Sequence, residues 1–283
     1  MHGRIASSDD EAKQLCPTRS SRGLAVTVRN DFLFKTLEEH ECVWEVLNAD
    51  GTPAAKGKFA LGKVAPGESA EFALEGFAGE SVTFSFYDDR DCIAWDSFAK
   101  PFRGLKVKQP LASVANPPFK FNFWRAPTDN DRGWKMPEVC KVWKDATTSQ
   151  KLPAGVKSDL RTSKLEDGSM LVDWTLTVPK GLPPIPRVGL TFTVPKTDKV
   201  EYFGLGPWEN YSDRATGAML GVHTASVGFV SGVVDPTATR IAYPADRLNP
   251  DNYIEPGEQG YRTGCRRLRI GDVTIEAVNA PFG

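Results

Sequence analysis

Two stretches of this chain crowd together groups able to do chemistry. The first, Phe121 to Trp134, reads FNFWRAPTDNDRGW, and the second, Phe203 to Gly217, reads FGLGPWENYSDRATG. Each sets an arginine within a few residues of carboxylates and amides and flanks them with tryptophan. The first supplies Trp124, Arg125, Asp129, Asn130 and Asp131; the second supplies Trp208, Glu209, Asn210, Asp213 and Arg214. The planar fork of arginine holds a carboxylate through two bonds. Asp and Asn fix turns by bonding nearby backbone. An exposed tryptophan offers a flat face on which a sugar ring can stack. Two readings stand side by side: a carbohydrate-facing surface, or a buried polar network that pins long loops.

Other chemistries find little support. Five cysteines are an odd number, widely spaced and without a C-x-x-C pair, which argues against a disulfide framework and a zinc site. Three histidines, His2, His40 and His223, form no visible metal cluster. A formal net charge of −1 gives no electrostatic reason for a nucleic-acid or anionic-membrane partner. The local basic cluster, Arg262, Arg266, Arg267 and Arg269, lies in a strand-like stretch and reads as a solvated face rather than a phosphate site. The N-terminal MHGRIASSDDEAKQLCPTRSS lacks an apolar core of the signal-peptide kind, and no apolar run is long enough to span a bilayer. A cytoplasmic location is the expectation.

The elements that must position these groups are mostly strands. With 283 residues the chain is near the size at which one core divides, so two domains are expected. Residues 1–22 read as a polar extension. From Leu24 the apolar period is two: Leu24, Val26 and Val28; then Cys42, Trp44 and Val46; then Ala70, Phe72 and Leu74; then Val82, Phe84 and Phe86. Turn signals at Asn48 to Gly51, Pro66-Gly67 and Asp88-Asp89 separate them. Such short, punctuated strands predict an immunoglobulin-like β-sandwich over 23–104. The proline-rich 105–118 reads as a linker. Beyond it one helix is expected, Glu138 to Ala146, with Val139, Val142, Trp143 and Ala146 on one face. Strands are expected again in MLVDWTLTV, RVGLTFTV, KVEYFG, CRRLRI and VTIEAV, with GLPPIP as a rigid connection. The fold class is all-β.

At the polar segments the sequence resembles a known family. Phe123-Trp124-Arg125-Ala126-Pro127-Thr128-Asp129-Asn130-Asp131 resembles the opening signature of the C-terminal, or small-chain, domain of family 2 β-galactosidases. Gly204-Leu205-Gly206-Pro207-Trp208-Glu209-Asn210-Tyr211 with Asp213-Arg214 is similar to that domain's second signature. Tyr253 to Gly260 with Arg262-Thr263 resembles its third. The earlier VRNDFLF, Trp44-Glu45 and Val64 to Glu68 are similar to the sandwich that follows the barrel in the same enzymes.

The resemblance implies that 119–283 is a truncated small-chain domain, a partial galactose-mutarotase-like β-supersandwich. It also implies a parent enzyme that hydrolyses terminal β-galactosides with retention, using two glutamates on a (β/α)₈ barrel. Such a barrel takes roughly 200–250 residues of alternating strand and helix, a pattern this sequence does not carry. The chain is therefore expected to hold no catalytic residue and no cofactor, the family's Mg and Na ions belonging to the barrel. Its expected partners are a galactoside, met through the parent enzyme, and a catalytic-barrel chain. Family pattern further leads one to expect strands beyond Gly283, a shortened stretch between Trp134 and Asp167, a lengthened one from His223 to Asn252, and self-association through exposed strand edges. Two alternatives remain: a stand-alone carbohydrate-binding module using Trp124, Trp134 and Trp208, and a mutarotase-like enzyme with Glu209 as base and His223 as acid.

Overall fold

The computed structural model describes residues 19–20, 23–75, 78–108, 110–114, 118–125, 127, 129–195, 197, 199–208, 210–211, 215–226 and 261–283. The first domain opens with β1 (Arg19–Ser20) and β2 (Gly23–Arg29), followed by β3 (Glu41–Leu47), β4 (Pro53–Ala60), β5 (Ser69–Glu75), β6 (Ser81–Asp88) and β7 (Asp91–Ala99). One sheet runs β1-β2-β5 and the other β4-β3-β6-β7, every pairing antiparallel. Alternation puts Leu24, Val26 and Val28 of β2 against Cys42 and Val46 of β3 and Val82, Phe84 and Phe86 of β6 in one buried core. Each such side chain contributes about 1.5–3 kcal/mol when fully buried. Asn30, fully buried, closes the end of β2: its Nδ2 donates to the Lys35 and Val64 carbonyls, and its Oδ1 accepts from the Phe32 amide.

The stretch read as a linker contributes to the second domain. Ala112–Ser113 form β8, which joins β10 (Lys157–Lys164) and β11 (Met170–Thr177) in the order β11-β10-β8. A two-stranded pair links β9 (Lys120–Asn122) to β12 (Gly189–Thr191). A third sheet runs β14-β13-β15-β16, from β13 (Lys199–Gly206), β14 (Met219–Ser226), β15 (Arg267–Ile270) and β16 (Val273–Glu276). The molecule is all-β sandwich in character, with few helical residues.

The helical region is more broken than its periodicity predicts. It comprises α1 (Asp129–Gly133), α2 (Met136–Val139) and α3 (Lys141–Ser149). Cys140 interrupts it with φ −96° and ψ 14°, closing α2 and opening α3. The break turns Val139 outward, 50% exposed, while Trp143 and Ala146 stay buried as expected. Asp129 to Gly133, read as part of a loop, makes a helical turn instead. No helix among the described residues is long and apolar enough to cross a membrane.

A buried seam joins the two domains. Leu47 of β3, Phe203 of β13 and Leu220 of β14 form one small core with Ala99 and Leu205 beside it. Gly51 turns the chain there with φ +79°; a Cβ at this position would stand 3.0 Å from Phe203 and from Val222. That backbone angle suits only glycine without strain. Thr83 donates its hydroxyl to the Leu220 carbonyl at 3.3 Å, and the Leu105 amide reaches the Val278 carbonyl at 2.8 Å.

The basic cluster is not a solvated face. Arg262 and Arg266 are both only 8% exposed, Arg267 is half-buried and Arg269 is exposed. Arg266 lies in the seam because a carboxylate from the other domain meets it: Nη1 sits 3.2 Å from Glu80 Oε1, and Nη2 donates to the Lys100 carbonyl at 3.2 Å. Its guanidinium also stacks over Phe102 and Phe203.

Candidate functional site

The first polar segment is anchored from below. Phe123 and Trp143 are fully buried with Met136, Cys140 and Ala146, and Trp174 packs against them. Helix α3 clamps β9 through two side chains. Gln150 accepts from the Phe121 amide at 2.8 Å and returns a bond to the Phe121 carbonyl at 3.0 Å, and Thr147 accepts from the Phe123 amide at 2.9 Å. The chain leaving Phe123 is thereby aimed.

Above this base Arg125 and Asp131 form a bidentate pair, Nη1 with Oδ2 and Nη2 with Oδ1 at 2.9 Å. Asp131 is buried and Arg125 partly so. Trp124 is half-buried beneath the Lys144 ammonium, 5.7 Å from the ring centroid. Asn130 is exposed, and Asp129 opens α1. This segment therefore holds itself through a pair only six residues apart. Replacing Asp131 by Asn should cost about 1.5–3 kcal/mol, the range for a hydrogen bond to a charged group. The partial exposure of Arg125 pulls the expectation to the lower end. Thermal melts of the two proteins would check it.

The second segment is built differently. Asn210 is buried; its Nδ2 donates to the Leu205 and Trp208 carbonyls, and its Oδ1 accepts from the Thr263 amide at 2.9 Å and from the Thr263 hydroxyl. One amide side chain thus ties the second signature to the third. Trp208 projects from this turn, 48% exposed. Behind it Tyr211 stacks on Tyr261, and the Arg187 guanidinium covers the other ring at 5.5 Å. Glu209, Asp213 and Arg214 lie outside the described residues. Arg125 and Asp131 pair with each other, and Asn210 bonds its own turn, Thr263 and, through its amide, the Tyr261 carbonyl.

Sequence reasoning did not single out Tyr202. Its hydroxyl accepts from Arg262 Nε at 3.0 Å and donates to the Pro207 carbonyl at 3.3 Å, and its ring lies 5.3 Å from that of His223. Burial lowers the His223 pKa, and its Nε2 faces the Met219 carbonyl at 3.1 Å, which it reaches as a donor. That ring is thus neutral and its Nε2 proton already committed. Gly206 leaves room for this arrangement, since a Cβ there would strike the Tyr202 hydroxyl and the His223 ring.

Fold and site together define a β protein whose polar turns are held by buried Asp131 and Asn210 and whose two β regions meet at Arg266. The family model described as "Beta-galactosidase, domain 4" matches residues 26–93, and that described as "Beta galactosidase small chain" matches 104–230. Each of these two stretches thus matches a β-galactosidase domain, and the two follow one another in the chain. Among curated relatives, a β-galactosidase of Priestia megaterium is 35% identical over 174 residues, 54% of this chain and 15% of that protein. One from Actinobacillus pleuropneumoniae is 28% identical over 201 residues, 62% and 18% of the two chains. One from Vibrio vulnificus YJ016 is 27% identical over 234 residues, 70% and 21%. The matched region spans about a fifth or less of the length of these relatives.

Proposed function

We propose that this chain serves as a non-catalytic part of a β-galactosidase-type glycoside hydrolase, helping to complete and support an active site whose bond-breaking groups lie elsewhere. The observation that carries the reading is the pairing of the two domain matches, 26–93 and then 104–230, in one chain whose β domains meet through a buried seam. Retaining hydrolysis needs two carboxyl groups about 5–5.5 Å apart across a glycosidic bond. On this reading both come from a (β/α)₈ barrel, which also binds the Mg and Na ions, and the chain's partners are that barrel and, through it, a galactoside.

Arg125, Asp131 and Asn210 act here as scaffold: each is committed to protein partners, so each shapes a loop rather than attacking a bond. The 48% exposure of Trp208 favours one second reading, a sugar-stacking surface on the isolated chain. A single set of measurements separates them. Purified chain should not hydrolyse a chromogenic β-galactoside above buffer background, and its tryptophan fluorescence should not saturate with galactose. Turnover that survives repurification and disappears on mutating a residue of this chain would overturn the support role. A saturable galactose signal lost in Trp208→Ala would move the assignment to a binding module.

A further inference from the structure

Asp96 is a carboxylate set into an apolar row. It lies in the middle of β7, the outer strand of the sheet β4-β3-β6-β7 among the described residues. The register places Ala94 opposite Phe86, Asp96 opposite Phe84 and Phe98 opposite Val82. Phe86, Phe84 and Val82 belong to the buried sandwich core, and Ala94 and Phe98 pack against it. Alternate residues of a strand share a face, so Asp96 stands on that same core-facing side. It is partly buried, and its Oδ1 accepts from the adjacent Ser97 amide at 2.6 Å. Burial raises its pKa above the ordinary aspartate value, and the Ser97 bond opposes that shift only in part.

Among the described residues, the ionisable groups of the elements packed around this face turn outward, lie at its far end or stay neutral. Arg29 of β2, Glu41 and Glu45 of β3, Lys56 and Lys58 of β4, and Glu71 and Glu75 of β5 are exposed. Asp88 and Asp91 sit at the far end of the β6–β7 pair, with His40 beside Asp88. Cys42 shares the core, but burial pushes its thiol up to about 12 and keeps it uncharged.

The opposite face of β7 meets the second β region. Ser97 Oγ accepts from the Leu220 amide of β14 at 3.4 Å, and Ala99 packs on the small core of Leu47, Phe203 and Leu220. One residue on, the Lys100 carbonyl accepts from Arg266 at 3.2 Å. A charge pointing inward from an outer strand opposes close seating of that strand.

We propose that Asp96 is a proton-sensitive latch: ionised, it holds β7 loosely on the core and slackens the seam with β14; protonated, it seats the strand and tightens the seam. The sign follows from burial. A carboxyl whose folded pKa is raised takes up its proton first in the folded state. Its cost is present in full above the folded pKa and disappears as pH falls toward the unfolded value, about 3.9.

The test uses the full chain and Asp96→Asn, which keeps the shape and the acceptor for the Ser97 amide but carries no charge. At neutral pH the variant should have the higher urea midpoint, and the gap to wild type should close as the solution is acidified. Amide exchange across 94–99 and at Leu220, corrected for the intrinsic rate, should be several-fold slower in the variant at neutral pH. A gap that does not change with pH, or a variant less stable than wild type throughout, would overturn the proposal. So would a closing gap with unchanged exchange at Leu220, since the strand would then not act on the seam. If Asp96→Asn does not fold, the carboxyl-carbon NMR titration of Asp96 in wild type decides: a midpoint above about 3.9 supports the latch, and one at or below it overturns the idea.

Discussion

Arg266→Ala should lower stability by about 3–5 kcal/mol, the cost of breaking a buried ion pair from one side. The substitution strands Glu80, whose side chain is only 19% exposed, and removes the donor to the Lys100 carbonyl. It also empties the space between Phe102 and Phe203, where the guanidinium stacks. Phe203 belongs to the same small core as Leu47 and Leu220, so the cavity opens inside the seam itself. Burial depresses the Arg266 pKa and Glu80 opposes that shift, which is how a buried cation is retained at a domain boundary. The expected signature in urea is a lower midpoint and a split into two transitions, one per domain. Arg266→Met with Glu80→Gln should recover part of the loss, because the pair is then removed together and the volume kept. A single transition within about 1 kcal/mol of wild type would show that the apolar contacts alone hold the seam.

The seam was the part least legible in the sequence. Arg266 and Glu80 are 186 residues apart, and nothing in the local pattern of CRRLRI tells a solvated arginine from one that meets a carboxylate across a domain boundary. The sandwich was far more legible: β2, β3, β5 and β6 alternate cleanly, because one face of each is buried in a shared core. The strands that escaped notice lack that contrast. Lys157–Lys164 carries a single large apolar residue, Leu160, and is held as a strand by β11, which pairs along its whole length, and by β8 at its end. Pro53–Ala60 is mostly exposed, and Met219–Ser226 interrupts its apolar residues with Gly221 and His223. In the site, the Arg125–Asp131 pair could be anticipated because it is local. The bond from Asn210 to Thr263 could not, since 53 residues separate them and only the family resemblance set both in one domain.

Trp143→Ala should be as damaging as the loss of Arg266, and it should reach the candidate site from beneath. The indole is fully buried among Phe123, Met136, Cys140 and Ala146, with its ring 5.6 Å from Phe123. Truncating a buried tryptophan costs about 3–5 kcal/mol through lost transfer energy and the cavity left behind. Its Nε1 also donates to the Pro183 carbonyl at 2.9 Å, so the variant strands a carbonyl of the rigid GLPPIP connection as well. Trp143→Phe separates the two effects, since it keeps much of the volume but loses the donor; about 1–3 kcal/mol is expected from the unsatisfied carbonyl. The consequence for the site follows from the order of contacts. Trp143 seats α3, α3 carries Thr147 and Gln150, and these two hold the backbone of Phe121 and Phe123 immediately before Trp124 and Arg125. A loosened α3 should therefore raise amide hydrogen exchange across 121–125 before it affects β2 or β6, whose core is separate. If exchange in Trp143→Ala rises equally in both domains, or stays unchanged at Phe121 and Phe123, then α3 does not anchor the first polar segment.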